Sequence, residues 1–339
     1  MSDISSGSSD KALTGGLAGF RGSPLYHRLL AFSGLIVLVI GFSLASRNFL
    51  QTANIINILQ ATSVNGVLAV AATLVIISGG IDLSVGTLMT FCSVMAGVFI
   101  SNWGLPIAVG VPGALIVGLA SGAVSGTFIA KLKIPPFIAT LGMMLIYKGL
   151  SLAICGVKPI YFNGTPNFIK IATGSIIGGV LPALPIPNGV VILFLVAGVA
   201  SFILSRTVLG RFTFAMGSNE EALRLSGVNI DGWKIAVYAL AGAVCGIAGV
   251  LIASRINSAQ PAIGQGYELD AIAAVVIGGT SLSGGRGTML GTLIGALIIS
   301  VVANGLRILS VPQEWQIVVT GSIIIIAVYA DILRRRAVA

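Results

Sequence analysis

Ile56-Asn-Ile-Leu-Gln-Ala-Thr-Ser-Val-Asn-Gly-Val-Leu-Ala-Val-Ala-Ala-Thr-Leu-Val-Ile-Ile-Ser78 runs for 23 residues without a charged side chain. About 20 helical residues cross the hydrocarbon core of a bilayer, where backbone polar groups must be bonded within the segment. The stretch is therefore read as a membrane helix, and the rest of the chain repeats its character. Of 339 residues, 56% are hydrophobic and 9% charged, against roughly 25% charged in a soluble domain. A soluble protein of this length has far more polar surface to cover. Disorder and a disulfide scaffold are excluded on the same grounds. The net charge is +9, but the basic residues are spread thinly between apolar runs, which excludes a nucleic-acid binder. Cys92, Cys155 and Cys245 lie far apart in apolar runs and read as small buried residues. With His27 the single histidine, no zinc or iron site is expected.

Ten runs meet the criterion: 29–46, 56–78, 84–101, 106–130, 137–157, 189–205, 233–253, 268–280, 287–308 and 315–333. The weakest, 268–280, is short and opens with Glu268 and Asp270. Residues 1–28 read as a disordered tail, Ser- and Gly-rich at its start. The run after it, between Arg28 and Arg47, is longer than a signal peptide's core and reads as an uncleaved first helix. With the N-terminus inside, cytoplasmic segments hold 13 of the 19 Lys and Arg residues, including Arg334, Arg335 and Arg336 in the basic tail 334–339. This bias predicts both termini inside and an even number of helices.

Two connections exceed 20 residues. Loop 158–188 is predicted outside. Loop 206–232 is predicted inside and is the most charged part of the chain. Within it, Ser218 or Asn219 can cap a helix, Glu220 and Glu221 suit its first turn, and Gly227 suits its end. A helix of about two turns is too short to stand alone in water. It must pack on its own bundle or on a soluble partner.

Glycines spaced by four residues, Gly118, Gly122 and Gly126, with Gly242, Gly246 and Gly249, are read as helix-packing positions. Asp82 sits in a break, Gly79-Gly-Ile-Asp-Leu-Ser84, where it either caps the helix beginning at Leu83 or Ser84 or serves a gate. Glu268 and Asp270 suit a helix N-terminus. Gly278-Gly-Thr-Ser-Leu-Ser-Gly-Gly-Arg-Gly287 lacks the Gly-Lys-Ser/Thr ending of a phosphate loop and reads as an irregular connection. Val276–Gly285 weakly echoes Val75–Gly86, and internal repeats with broken helices are common in transporters.

Four stretches carry a resemblance: Ser78–Gly86, Pro136–Gly142, Gly217–Val228 and Tyr267–Gly287. Through them the chain resembles the ribose-type permeases of ABC importers over nearly all its length from about residue 48. The resemblance implies an all-α polytopic membrane protein of about ten transmembrane helices, N-in and C-in, in a type II ABC importer-like bundle. One permease domain, 29–333, would work as a pair with a second copy or a paralogue, in a bacterial inner membrane. An ABC ATPase subunit, or a fused tandem ATPase, would dock from below, and a periplasmic sugar-binding protein from above. The family's coupling helix maps onto Asn219, Glu220, Glu221, Arg224, Leu225, Ser226 and Gly227. No cofactor is expected in this subunit; ATP and Mg belong to the ATPase. The chain has Ala222-Leu223 where many relatives carry an Ala pair, and Lys148 where they often carry Arg, which leaves the substrate open.

A sugar path should offer hydrogen-bonding groups without tight binding. Asn57, Gln60 and Asn65 in the second run, Asp82 in the break, and Phe137 and Thr140 at the fifth run are the candidates. A self-sufficient secondary transporter is the competing class, with Asp82, Glu268 and Asp270 as its carboxylates. A channel gives no reason for the amphipathic inner loop. A membrane enzyme is disfavoured because no nucleophile–base set or metal cluster is present.

Overall fold

A computed structural model describes residues 24–181 and 184–336. Residues 1–23 of the predicted tail, Pro182, and residues 337–339 of the basic tail lie outside the described residues. Thirteen α-helices occur among the described residues: α1 (Pro24–Ala45), α2 (Thr52–Ile77), α3 (Val85–Gly97, continued by a π turn Val98–Asn102), α4 (Ile107–Ala130), α5 (Pro136–Ile154), α6 (Lys170–Thr173), α7 (Ile176–Val180), α8 (Asn188–Arg206), α9 (Val208–Leu225), α10 (Ile230–Ile256), α11 (Tyr267–Ile277), α12 (Met289–Ile308) and α13 (Gln313–Arg336). Two short strands, β1 (Ile160–Tyr161) and β2 (Ser258–Ala259), pair antiparallel with Ile160 opposite Ala259.

Each of the ten apolar runs falls on a helix, with edges shifted by a few residues; α1 begins at Pro24, inside the predicted tail. Among the described residues, seven helices are long and apolar enough to cross a membrane: α2, α3 with its π turn, α4, α5, α8, α10 and α12. The protein is thus a mostly helical, multi-pass membrane protein. Segment 206–232, read from sequence as an inner loop, differs from that reading. Residues 208–218 are helical rather than loop, and α10 starts at Ile230. Thr207 in extended conformation turns the chain between α8 and α9, and its side chain accepts from Gly210 N–H.

Helix α2, which begins the argument in sequence, is the centre in space. It packs against α8, α10, α11 and α12. Its residues from Val67 to Ile77 are all buried. Side chains on every face must then be apolar or bonded. Thr73 Oγ1 meets the Ala69 carbonyl at 2.7 Å and Thr292 Oγ1 of α12 at 2.7 Å.

The closest helix pair is α4 with α10. A Cβ added at Gly118 would collide with the Gly242 carbonyl, and one at Gly242 with the Gly118 carbonyl. At Gly126 it would stand 2.9 Å from Ile235 Cα. Missing side chains let the two backbones touch, which supplies packing where lipid removes the hydrophobic drive. The predicted packing role of these glycines is thus met. Cys92 and Cys245 are fully buried nearby. At the end of the bundle away from α9, loop 158–188 carries β1 and two short helices. Phe162 and Phe168 stack at 3.9 Å beneath β1 and pack with Val98 and Val250.

Candidate functional site

Helices α2 and α11 end alike. Gly79 (φ 86°) and Gly279 (φ 85°) occupy the left-handed region that a side chain disfavours. Gly79 N–H donates to Ile76 O and Gly80 N–H to Val75 O; Gly279 N–H donates to Val276 O and Thr280 N–H to Val275 O. Both are Schellman closures, which satisfy carbonyls left free at a helix end. The sequence echo therefore has a structural counterpart, in a register that pairs Val75 with Val275. The two turns also touch: Gly285 N–H donates to Ile77 O at 2.9 Å.

Asp82 lies in the first turn and is 6% exposed. Its Oδ1 accepts from Ser84 N–H at 2.7 Å and Ser84 Oγ–H at 2.6 Å. Burial pushes its carboxyl above the usual carboxylate range, and the two Ser84 bonds pull partly against that rise. The helix starts at Val85 rather than at Leu83 or Ser84. Asp82 thus orders the turn that enters α3, bonding the N-cap residue Ser84 and not an N–H of the helix itself. Thr140 of α5 accepts from Leu83 N–H at 3.2 Å and bonds the Pro136 carbonyl at 2.9 Å. The structure therefore brings Asp82 and Thr140 to one turn, with Phe137 on α5 beside them, 54% exposed.

The other path candidates are elsewhere. Asn57 and Gln60 sit toward the opposite end of α2, and Asn65 lies at its middle. At 1.5 Å per residue, Asn57 is roughly 30 Å from the turn that holds Asp82. Asn57 lines a polar cavity with Asn54, Arg255, Asn304 and Arg307. Gln60 and Asn65 are half-buried on α2.

Helix α9 runs to both turns. It kinks at Asn219, where the backbone leaves the helical region (φ −158°, ψ 94°), and Asn219 Oδ1 caps the following segment by accepting from Ala222 N–H at 2.9 Å. Immediately before the kink, Gly217 lies on the Ile77 carbonyl and 2.5 Å, measured from an added Cβ, from Gly285 N. A Cβ added at Gly284 would stand 2.8 Å from Gly217 Cα and 2.9 Å from Gly79 Cα. One at Gly285 would stand 3.0 Å from Ser218 Cα. Three backbone segments, far apart in sequence, are thus in direct contact through glycine. Sequence reading placed Gly217 in a family motif but gave it no role, because the partners of a glycine are invisible without the fold.

Beyond the kink, charges fix the second half of α9. Glu220 pairs with Lys234 at 2.8 Å and Arg224 at 3.3 Å. Arg224 reaches Asp231 at 3.4 Å, and Asp231 pairs with Lys133 at 2.9 Å. Burial raises the Glu220 carboxyl, but the bonds and charges of Lys234 and then Arg224 outweigh it and hold the group below its usual range. Phe212 meets Trp233 at 5.1 Å. Ser226 Oγ–H donates to Leu223 O, and Gly227 (φ 82°) follows the last turn, as its type predicts. Glu221 is exposed, and Leu225 is 84% exposed. Glu268 and Asp270 stand in the first turn of α11, and the Glu268 carboxylate accepts from Gly266 N–H at 3.1 Å. Among the described residues no cluster of His, Cys, Asp and Glu could hold a metal ion.

Comparison with known proteins agrees with this architecture. Residues 54–328 match the model of the branched-chain amino acid transport system / permease component family. The ribose import permease protein of Escherichia coli strain K12 is 44% identical over 302 residues, covering 88% of this chain and 91% of that protein. The ribose import permease protein of Haemophilus influenzae is 41% identical over 304 residues, covering 89% and 92%. The fructose import permease protein of Rhizobium meliloti is 37% identical over 314 residues, covering 90% and 86%. No solved structure matches. The resemblance read from the four sequence stretches is borne out, and the chain belongs to the branched-chain amino acid transport system / permease component family.

Proposed function

We propose that this chain is the membrane permease of an ATP-driven importer for a monosaccharide such as a pentose or hexose. It spans a bacterial inner membrane about ten times with both termini inside, as one permease domain over 29–333, and works beside a second copy or a paralogue. Asn219–Gly227 docks an ABC ATPase, and a sugar-binding protein delivers solute on the other face. The ribose and fructose import permeases to which this chain is similar support the substrate class. The observation that carries the reading is the seat of α9 on both broken-helix turns. A short exposed helix, capped at Asn219 and presenting Glu221 and Leu225 outward, has its root at Gly217 against Ile77, Gly284 and Gly285.

The mechanism follows from that seat. ATP and Mg belong to the partner, whose closure pushes the segment Glu220–Leu225. Ion pairs from Arg224 to Asp231 and from Glu220 to Lys234 hold that segment against α10, so the push is not lost in side-chain motion. It passes through Gly217 and Ser218 into the turn that starts α3 and the turn before α12. Broken helices of this kind are where transporters change access. Asp82 and Thr140 hold the first turn as Phe137 opens or closes beside it. Gln60, and Asn65 at mid-helix, offer amide hydrogen bonds farther along the path.

Affinity purification in mild detergent tests the proposal. Recovery of a P-loop ATPase at one ATPase domain per permease is expected. A chain that purifies alone and moves sugar into liposomes without ATP would overturn it in favour of a secondary transporter.

A further inference from the structure

A polar cavity of about 330 Å³ opens beside the first turns of α2, lined by Asn54, Asn57, Arg255, Asn304, Arg307 and Ile308. Three helix ends meet there. Asn54 and Asn57 lie near the start of α2, Arg255 is the last residue but one of α10, and Arg307 is the last but one of α12. In a spanning bundle, such ends stand at the depth of lipid headgroups, whichever face of the membrane they occupy.

The cavity is cationic. Every ion pair found among the described residues belongs to Lys133, Arg224 or Lys234, so neither Arg255 nor Arg307 has an acidic partner there. The N-terminal end of α2 adds partial positive charge. Two guanidiniums facing one space call for an anion that can take several charge-assisted hydrogen bonds.

A second observation narrows the ligand. Asn304 is 8% exposed. Its Nδ2 donates to Asn54 Oδ1 at 3.0 Å, and Asn54 Nδ2 donates to Phe49 O at 2.8 Å. Asn304 Oδ1 has no partner among the described residues. A buried acceptor left unmatched is costly, so native structures seldom keep one. A bare anion satisfies the arginines and leaves this oxygen unmatched. An anion that also carries a hydroxyl satisfies both.

We propose that this cavity binds the glycerophosphate headgroup of an anionic phospholipid. The phosphodiester oxygens take hydrogen bonds from Arg255 and Arg307, and a glycerol hydroxyl donates to Asn304 Oδ1. The surroundings favour a lipid as the source. Helix α12, which carries Arg307, packs against both α1 and α13. Those helices expose Val37, Ile40 and Leu44, and Ile317 and Val318, while exposed Leu50 and Leu309 flank the cavity in sequence. Acyl chains have an apolar flank to follow from the cavity. An ethanolamine headgroup is disfavoured because its ammonium would sit beside two guanidiniums. An incoming protein carboxylate would answer the arginines but bring no donor for Asn304.

The test uses the full-length subunit in its purified complex, exchanged into equal amounts of phosphatidylglycerol and phosphatidylethanolamine. Native mass spectrometry then counts the lipid retained. Phosphatidylglycerol is expected to be favoured roughly tenfold or more, given two basic contacts near the membrane surface. R307Q should lower that preference about fivefold; Arg307 is exposed, so this variant leaves the packed interior untouched. N304D, of equal volume, adds a negative charge to the cavity that competes with the phosphate for the two arginines and should abolish the preference. Equal retention of both lipids by the unaltered protein overturns the proposal. Displacement of the bound lipid by glycerol 3-phosphate or inorganic phosphate also overturns it, because the site would then serve free anions. A preference that survives in both variants overturns it as well.

Discussion

Gly217→Ala places a methyl group where α9 meets the ends of α2 and the 278–287 turn. The added carbon would collide with the Ile77 carbonyl and stand 2.5 Å from Gly285 N, whereas ordinary contact begins near 3.4 Å. Both neighbours are backbone, so no side chain can swing aside. Either α9 withdraws by about 1 Å or the Gly285-to-Ile77 hydrogen bond breaks. Over-packing of this kind costs typically 1–3 kcal/mol. Taking about 2 kcal/mol, the ratio of seated to unseated α9 falls roughly thirtyfold. The helix spans are untouched, so the protein should reach the membrane in normal amount and retain its ATPase partner. ATP-driven sugar uptake in proteoliposomes should fall by roughly tenfold or more, and ATPase activity should lose its dependence on the loaded binding protein. Gly41→Ala is the control, because an added Cβ there meets nothing within 4 Å. Normal uptake with normal ATPase stimulation in Gly217→Ala would refute the reasoning that motion passes through this contact.

Other predictions follow from the same structure. Replacing Glu221 and Gly227 together should separate ATP hydrolysis from transport without reducing membrane insertion; unchanged coupling in that variant counts against docking at this helix. Glu220, held below the ordinary carboxylate value of 4.5, stabilises the coupling segment above that pH, and the contribution fades as pH falls through the lowered folded-state value. Association of permease with ATPase should therefore weaken on acidification, and Glu220→Gln should flatten that part of the pH profile; an identical profile in the variant would remove the ion pairs from the account. Thr73→Val and Thr292→Val, made singly and together, should show a coupling energy of about 0.6 kcal/mol in detergent unfolding, typical of hydroxyl bonds between membrane helices; strict additivity would mean the 2.7 Å contact contributes nothing. Gly122→Leu drives a side chain into the Tyr238 backbone carbonyl and stands its Cβ 3.1 Å from Ala239 Cα. This exceeds ordinary over-packing, and against a total stability of about 5–15 kcal/mol the subunit should accumulate several-fold less in membranes; wild-type accumulation would show that α4 and α10 can part freely.

Much of the fold was legible because its cause is local. A helix in lipid must satisfy its own backbone, so a run such as 56–78 declares itself without knowledge of neighbours. Caps and breaks are local too: Asn219, Gly227, and the Gly79 and Gly279 turns follow from short-range conformational preference. The first half of α9 was not legible. Residues 208–218 mix Gly, Arg and aromatic side chains with no clean apolar stripe, and only their packing onto α10 and the two turns makes them helical. Of the path candidates, Asp82 and Thr140 meet because a hydroxyl reaches across from α5, whereas Asn57 lies at the far end of α2 because helix rise separates them.

By itself, then, the sequence determined the solvent, the helical class, the places where helices stop and the family. Each of these depends on hydrophobicity and backbone preference within some 20 residues. Tertiary structure alone decided which stops meet. Gly79, Gly217 and Gly284 converge because none has a side chain to hold the backbones apart, and Arg255, Asn304 and Arg307 share a cavity because three helices end at one depth. Contacts of that kind depend on distance in space between residues up to 250 positions apart, a quantity that no local preference encodes.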